Sequence, residues 1–319
     1  MKAVFLDFAT MGAEGIDRSP LANALPEIEF FAATAPDQRR ERIRDAVYVL
    51  TNKVRIDREL IHATPALKFI GLTATGTDNI DLQAAGEHGV AVCNIRAYCT
   101  QSVVEHVFAV LLNLAHSIGA FDRDVRNGEW QRSADFCMLG HPIRQLSAMT
   151  IGIVGYGVLG RAVAEMAKHF GMRVLIARRR GAAVSANDDR TDFNEVLRVA
   201  DVISLHCPLN DETRNLFGAD EFRHMKPNAI LINTARGGLV DSAALVEALK
   251  RKQIAAAAID VLSKEPPTGG DPLIEYAGPN LLITPHIAWA TVEARQNAIN
   301  ELAANIVAFQ RGEKRNRVV

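Results

Sequence analysis

The chain of 319 residues is 48% hydrophobic and 23% charged, which excludes an intrinsically disordered protein, and its length suits about two domains. Its 36 Lys and Arg against 37 Asp and Glu leave a formal net charge of -1, which excludes a broad polyanion-binding face, so neither nucleic acid nor an anionic membrane surface is an expected partner. No run reaches the roughly 18 to 20 apolar residues of a membrane span, and the opening residues meet the Asp7 carboxylate before a signal-peptide core can form, so a cytoplasmic location is expected.

Short apolar runs alternate with stretches of helical period along nearly the whole chain, the pattern of an α/β fold whose parallel sheets are covered on both faces. A first block carries predicted strands at 3–6, 46–50, 68–72 and 90–93. Residues 102 to 118 then form a stretch too apolar for a solvent-facing helix and too short for a membrane, so a helix buried in the core or between subunits is expected. A second block predicts six strands, at 150–154, 173–177, 201–206, 229–234, 255–261 and 281–284. Residues 291 to 310 read as a last helix, which either extends the second block or returns to pack on the first. Cys93, Cys99, Cys137 and Cys207 show no C-x-x-C spacing and no histidines at zinc-ligand intervals, so reduced thiols and no metal site are expected.

The chemistry concentrates in the second block. Gly155-Tyr156-Gly157-Val158-Leu159-Gly160 satisfies G-x-G-x-x-G between an apolar strand and a helix, the context of a dinucleotide-binding turn. Gly155 makes the tight turn, Gly157 lets backbone approach a pyrophosphate, Gly160 lets the helix pack closely, and the helix N-terminus offers unpaired N–H groups to the anion. Where the next strand ends, the carboxylate that usually binds the adenosine ribose is replaced by Arg178, Arg179 and Arg180. Guanidinium groups there suit the extra phosphate of NADP, so NADPH is expected to be preferred, with NADH as the alternative.

Ligands of open parallel sheets bind beyond the carboxyl ends of the strands. Three such ends carry Arg236, Glu265 and His286. These are the groups that reversible reduction of a 2-oxo acid needs. Arg236 clamps the substrate carboxylate and carbonyl with a planar fork of donors. His286 delivers a proton as charge builds on the carbonyl oxygen, and Glu265 orients the imidazole and stabilises its charged form. Asp260 is placed to accept from the nicotinamide carboxamide. The other histidines lack this placement; those on helical stretches, such as His116 and His169, are read as structural.

These residues resemble the D-isomer-specific 2-hydroxyacid dehydrogenase family. The motifs that carry the resemblance are Thr75-Gly76-Thr77-Asp78-Asn79-Ile80-Asp81, the glycine loop, His206-Cys207-Pro208-Leu209, Asn233-Thr234-Ala235-Arg236-Gly237-Gly238, Asp260-Val261 with Glu265-Pro266, and Thr284-Pro285-His286. Trp130-Gln131-Arg132-Ser133 with His141-Pro142 is most similar to the glycerate dehydrogenase, or hydroxypyruvate reductase, branch.

The resemblance implies two Rossmann-like domains with parallel sheets. A NAD(P)-binding domain, residues 99–286, would be inserted in a flavodoxin-like substrate domain formed by 1–98 and 287–319, which gives the last helix its home. It implies Arg236, Glu265 and His286 as the catalytic set, and Cys207, Pro208, Thr213, Thr234 and Ala235 as further cofactor contacts. Substrate would meet Lys53, Thr75 and Gly76 as well as Arg236 and His286. The implied protein is a homodimer with the helix from Ser102 near the interface. The implied reaction is reduction of hydroxypyruvate to D-glycerate, with glyoxylate to glycolate as a second substrate pair. A phosphoglycerate dehydrogenase and a cofactor-sensing protein like the corepressors of this fold are the alternatives. The arginines at 178–180 depart from NAD-type members and resemble the reductases that use NADPH.

Overall fold

The computed structural model describes residues 1–12, 14–182 and 188–319, and the chain divides into two compact units: Met1–Cys99 with Ala290–Val319, and Thr100–Trp289. The first unit holds five strands, β1 (Ala3–Phe5), β2 (Ile28–Phe30), β3 (Tyr48–Thr51), β4 (Phe69–Leu72) and β5 (Ala91–Cys93). All pair in parallel in the order β2-β1-β3-β4-β5, the flavodoxin-like order, in which the chain reverses its direction of growth between β1 and β3. β1, β3, β4 and β5 are the predicted strands, each buried throughout. β2 was not anticipated: its three residues lie at the sheet edge, none fully buried, and show no apolar run.

The helix Val292–Gln310 belongs to this first unit, where it packs on β4 and on the short helix Ser19–Ala24. Thr291 caps it by accepting from the Ala294 N–H at 3.2 Å, and its buried face carries Ala298, Ile299, Leu302 and Ile306. Beyond it the chain returns antiparallel to the free edge of β5, with Arg317 opposite Cys93.

The second unit contains the six predicted strands, β6 (Thr150–Val154), β7 (Arg173–Ile176), β8 (Val202–Leu205), β9 (Ile230–Asn233), β10 (Ala256–Ile259) and β11 (Leu281–Ile283). They form one parallel sheet, β11-β10-β9-β8-β6-β7, and a single bridge between Ala177 and Thr191 extends it beyond β7. With Thr191 counted as a vestigial third strand, the order is that of a Rossmann sheet, whose switch point lies between β6 and β8. The helix Thr100–Ala115 buries Val103, Val104, Val107, Phe108 and Leu111 against β9, β10 and the helix Val158–His169, so it is a core helix of this unit. No single helix among the described residues is long and apolar enough to cross a membrane.

The two edges of this sheet differ in character. At the amino ends of β6, β8 and β9, the carboxylate of Asp201 accepts from the Thr150 N–H at 2.9 Å, Arg144 at 3.1 Å and Lys226 at 3.3 Å. Burial opposes the ionised form, but these donors outweigh it and hold Asp201 below the usual carboxylate range. The carboxyl ends carry the glycine turn, the arginines and the predicted catalytic set.

Candidate active site

β6 runs into Gly155, whose φ of +97° lies where side chains are not tolerated. A Cβ there would stand 2.4 Å from the Cys207 nitrogen and 2.6 Å from the His206 carbonyl carbon, so the turn packs directly on the loop after β8. Gly157 differs: it caps the helix Val158–His169 without any side-chain hydrogen bond, its φ is -81°, and a Cβ on it would meet nothing within 4 Å. That open cradle in front of a helix N-terminus fits a pyrophosphate. Tyr156 and Val158 beside it are exposed, Leu159 is half-buried, and Gly160 is buried under the turn.

Two buried polar atoms near this turn have no partner among the described residues. They are Nδ1 of His206, after β8, and Oγ1 of Thr234, after β9. Such atoms are costly unless a ligand or solvent meets them. The other ring nitrogen of His206 contacts the Ser204 hydroxyl at 2.8 Å, and burial pushes the imidazole down to about 4, so it is neutral at physiological pH. Cys207 is half-buried and Pro208 exposed beside it, and Thr213 donates its hydroxyl to the Pro208 carbonyl at 2.7 Å, closing the loop. The four cysteines are free, and burial holds Cys93 and Cys99 up at about 11, which leaves them protonated and weakly nucleophilic.

The three arginines after β7 have separate environments. Arg178 is largely buried, donating from Nε to Asp188 at 2.7 Å and from Nη2 to the Arg190 carbonyl at 2.8 Å. Arg180 pairs with the buried Glu221 at 2.9 Å. Arg179 is 76% exposed.

β9, β10 and β11 are consecutive neighbours and deliver Arg236, Glu265 and His286 respectively. Buried Asn233 pins the first turn, accepting from the Ala235 N–H at 3.0 Å and donating to the Arg236 carbonyl at 2.9 Å. The Arg236 guanidinium is exposed, donates to the Ala235 carbonyl at 2.8 Å, and has no acidic partner among the described residues. Gly237 lets this turn lie against the loop after β10, since a Cβ there would fall 1.9 Å from the Leu262 carbonyl carbon. In that loop Glu265 accepts from the Leu262 N–H at 2.8 Å through Oε1 and meets His286 Nδ1 at 2.6 Å through Oε2. Nε2 of His286 is thereby the ring nitrogen left for chemistry.

His286 itself has a φ of +56°, an uncommon conformation for a side-chain-bearing residue. Its N–H donates to the Asp260 carbonyl at 2.7 Å. The Asp260 carboxylate, 1% exposed, accepts from the Thr284 hydroxyl at 2.5 Å and from the N–H groups of Ile287 and Ala288 at 2.9 Å each. Asp260 is therefore the anchor of the histidine loop, a role its position in the sequence did not announce. His106, on the helix Thr100–Ala115, joins the same cluster, 3.2 Å from the Thr284 hydroxyl. These bonds, with Ser102 donating to the Ala288 carbonyl at 2.7 Å, keep residues 287–289 with the second unit.

Lys53, Thr75 and Gly76 lie in the first unit, after β3 and β4. Asp7, at the end of β1, accepts from the Lys53 N–H at 2.6 Å and the Asn52 N–H at 2.9 Å, so it sets the Lys53 backbone. The Thr75 hydroxyl donates to the Ile95 carbonyl at 3.0 Å, and Asn94 donates to the Thr75 carbonyl at 2.7 Å, which ties the 75–76 turn to the end of β5.

The model of the D-isomer specific 2-hydroxyacid dehydrogenase, NAD binding domain, matches residues 108–288. A glycerate dehydrogenase of Methylorubrum extorquens is 40% identical over 319 residues, covering 99% of this chain and 98% of its own. A hydroxypyruvate reductase of Blautia hydrogenotrophica is 36% identical, covering 100% and 99%. Among solved structures, an acyclic imino acid reductase in complex with NADPH and D-Arg superposes with a TM-score of 0.85 at 27% identity, covering 100% of both chains.

Proposed function

The chain belongs to the D-isomer-specific 2-hydroxyacid dehydrogenase family, and from that premise we propose that it reduces hydroxypyruvate to D-glycerate, and glyoxylate to glycolate, with NADPH preferred over NADH. The observation that carries the reading is the contact of 2.6 Å between His286 Nδ1 and Glu265, one strand away from the exposed Arg236, which has no acidic partner among the described residues. The names of the glycerate dehydrogenase and hydroxypyruvate reductase relatives support the substrate.

When bound, the nicotinamide cofactor supplies the hydride that reduces the carbonyl carbon. Arg236 holds the substrate carboxylate and carbonyl oxygen with its fork of N–H donors and stabilises the negative charge that develops on that oxygen. Protonated His286 donates from Nε2 to the same oxygen, which becomes the hydroxyl of the product. Glu265 keeps Nδ1 protonated and the ring in one orientation, as a carboxylate behind a general acid does. Asp260 acts one layer further back by holding the loop that presents His286. Lys53, Thr75 and Gly76, in the first unit, are assigned as further substrate contacts. The 2'-phosphate contact is assigned to Arg179 rather than Arg178, because Nε and Nη2 of Arg178 are engaged by Asp188 and Arg190 and its side chain is largely buried, whereas Arg179 is exposed.

The chain is also proposed to work as a cytoplasmic homodimer. Supporting this, Ile118, Trp130, Phe136, Leu139 and Ile143 expose 50% or more of their surface within one stretch of the second unit. Light scattering in solution measures the state directly.

The activity test follows nicotinamide absorbance with NADPH and NADH against hydroxypyruvate, glyoxylate, pyruvate and 3-phosphohydroxypyruvate. Turnover led by hydroxypyruvate and NADPH is expected. Preference for the phosphorylated substrate would point to phosphoglycerate dehydrogenase, and no turnover with any would point to a cofactor sensor.

A further inference from the structure

Each of the three arginines after β7 faces one carboxylate: Arg178 meets Asp188, Arg180 meets Glu221, and Arg179 meets Glu212 at 3.8 Å. The first two acids are sheltered, with side chains 18% and 8% exposed, and each also accepts from a backbone N–H, Asp188 from Arg190 and Glu221 from Gly218. Those pairs are fixed parts of the fold. The third is not: Arg179 is 76% and Glu212 is 71% exposed, and no other side chain pairs with Arg179 among the described residues. Arg179 is thus a cation set between two anchored neighbours, facing a single displaceable acid.

Glu212 itself is presented by a rigid turn. Asn210 donates its N–H to the Thr213 hydroxyl at 2.8 Å, its side-chain oxygen accepts from the Thr213 N–H at 2.9 Å, and its carbonyl accepts from the Arg214 N–H at 2.9 Å. The Glu212 backbone is therefore fixed on both sides, while its carboxylate, 71% exposed, reaches Arg179 at 3.8 Å. A phosphate dianion that takes Arg179 must displace this carboxylate and then lie beside it, whereas a ribose without that phosphate leaves the ion pair intact.

We propose that Glu212 is a specificity-determining residue that competes with the cofactor 2'-phosphate for Arg179 and so holds down the preference for the phosphorylated cofactor. This rests on the assignment of Arg179 as the phosphate contact. A pair this exposed is worth up to about fivefold in an equilibrium constant, enough to let one site use both cofactors and too little to exclude either.

The experiment measures binding of two nicotinamide-free probes, adenosine 2',5'-bisphosphate and adenosine 5'-monophosphate, by titration calorimetry to the wild type, Glu212→Gln and Arg179→Gln. The ratio of the two affinities reads recognition of the 2'-phosphate without any catalytic step. Glu212→Gln is expected to raise that ratio about three- to fivefold, mainly through the bisphosphate, and Arg179→Gln to lower it. If Arg179→Gln lowers the ratio and Glu212→Gln leaves it unchanged, the role of Glu212 is overturned while the Arg179 assignment stands. If Arg179→Gln leaves the ratio unchanged, the assignment fails and the competition fails with it. Both side chains are exposed, so both variants should fold, and their thermal melts verify this.

Discussion

Replacing Gly155 and Gly157 separately by alanine should split the cost to the fold from the cost to the ligand, although the two glycines are two residues apart in one motif. At Gly155 the new Cβ has two problems. The backbone φ of +97° disfavours any side chain, at about 1 to 3 kcal/mol. The Cβ would also stand 2.4 Å from the Cys207 nitrogen, a backbone atom that cannot swing aside as a side chain would, and such overpacking adds about 1 to 3 kcal/mol. The sum, about 2 to 6 kcal/mol, is a large fraction of a typical stability of about 5 to 15 kcal/mol. At Gly157 the Cβ meets nothing within 4 Å at an ordinary φ of -81°. Losing glycine as the helix cap costs up to about 1 kcal/mol, and the stiffer unfolded chain returns about 0.4 to 1 kcal/mol, so the net is near zero. The methyl nevertheless fills the space through which a pyrophosphate would reach the helix N-terminus, and cofactor affinity should fall by about tenfold or more. Urea unfolding followed by circular dichroism, with NADPH binding followed by fluorescence, gives both quantities for both variants. A Gly157→Ala protein that unfolds early, or that binds NADPH like the wild type, would refute the reasoning, as would a Gly155→Ala protein of normal stability.

Three further outcomes follow from the site. His286→Ala should lower kcat by about a hundredfold or more while leaving NADPH affinity nearly unchanged; the reverse pattern in stopped-flow and binding assays would remove the acid role. Asp260→Asn puts an amide donor among the N–H groups of Ile287 and Ala288 and should destabilise the protein by about 2 to 4 kcal/mol and lower kcat with it; a denaturation curve and a rate matching the wild type would show that the loop holds itself. His206 sits at about 4 when folded against 6.5 as an ordinary imidazole, so the unfolded chain binds the extra proton first as the pH falls. The associated stability, about 3 kcal/mol, is whole above pH 6.5, declines as the pH falls, and is largely lost at pH 4. His206→Gln, which keeps a group facing Ser204, should flatten that decline in urea midpoints measured from pH 7 to pH 4, and an unchanged slope would contradict the assignment.

Much of this was legible in the residues alone. The second sheet is built of apolar runs long enough to register as strands, and Arg236, Glu265 and His286 stand out because each lies in the loop that follows such a run. β2 escaped because Ile28–Phe30 is a short, half-exposed edge strand with a glutamate at its centre. Asp7 and His106 escaped for another reason. Their partners are 46 and 178 residues away, so nothing local distinguishes Asp7 from any strand-end acid or His106 from a helical surface residue. Arg178, Arg179 and Arg180 are interchangeable as letters; only the positions of Asp188, Glu212 and Glu221 in the fold separate an anchored guanidinium from an available one.

The ionic clamp of Asp201 with Arg144 and Lys226 lies at the opposite end of the strands from the groups of the second unit assigned to chemistry. A strand of four or five residues separates the two ends, a distance at which substitutions usually act additively. Selection and protein engineering therefore have two independent handles on this chain. Robustness to heat or acid can be tuned at the Asp201 end without disturbing turnover, and the loops at the other end can diverge toward new substrates while the clamp preserves the scaffold that carries them.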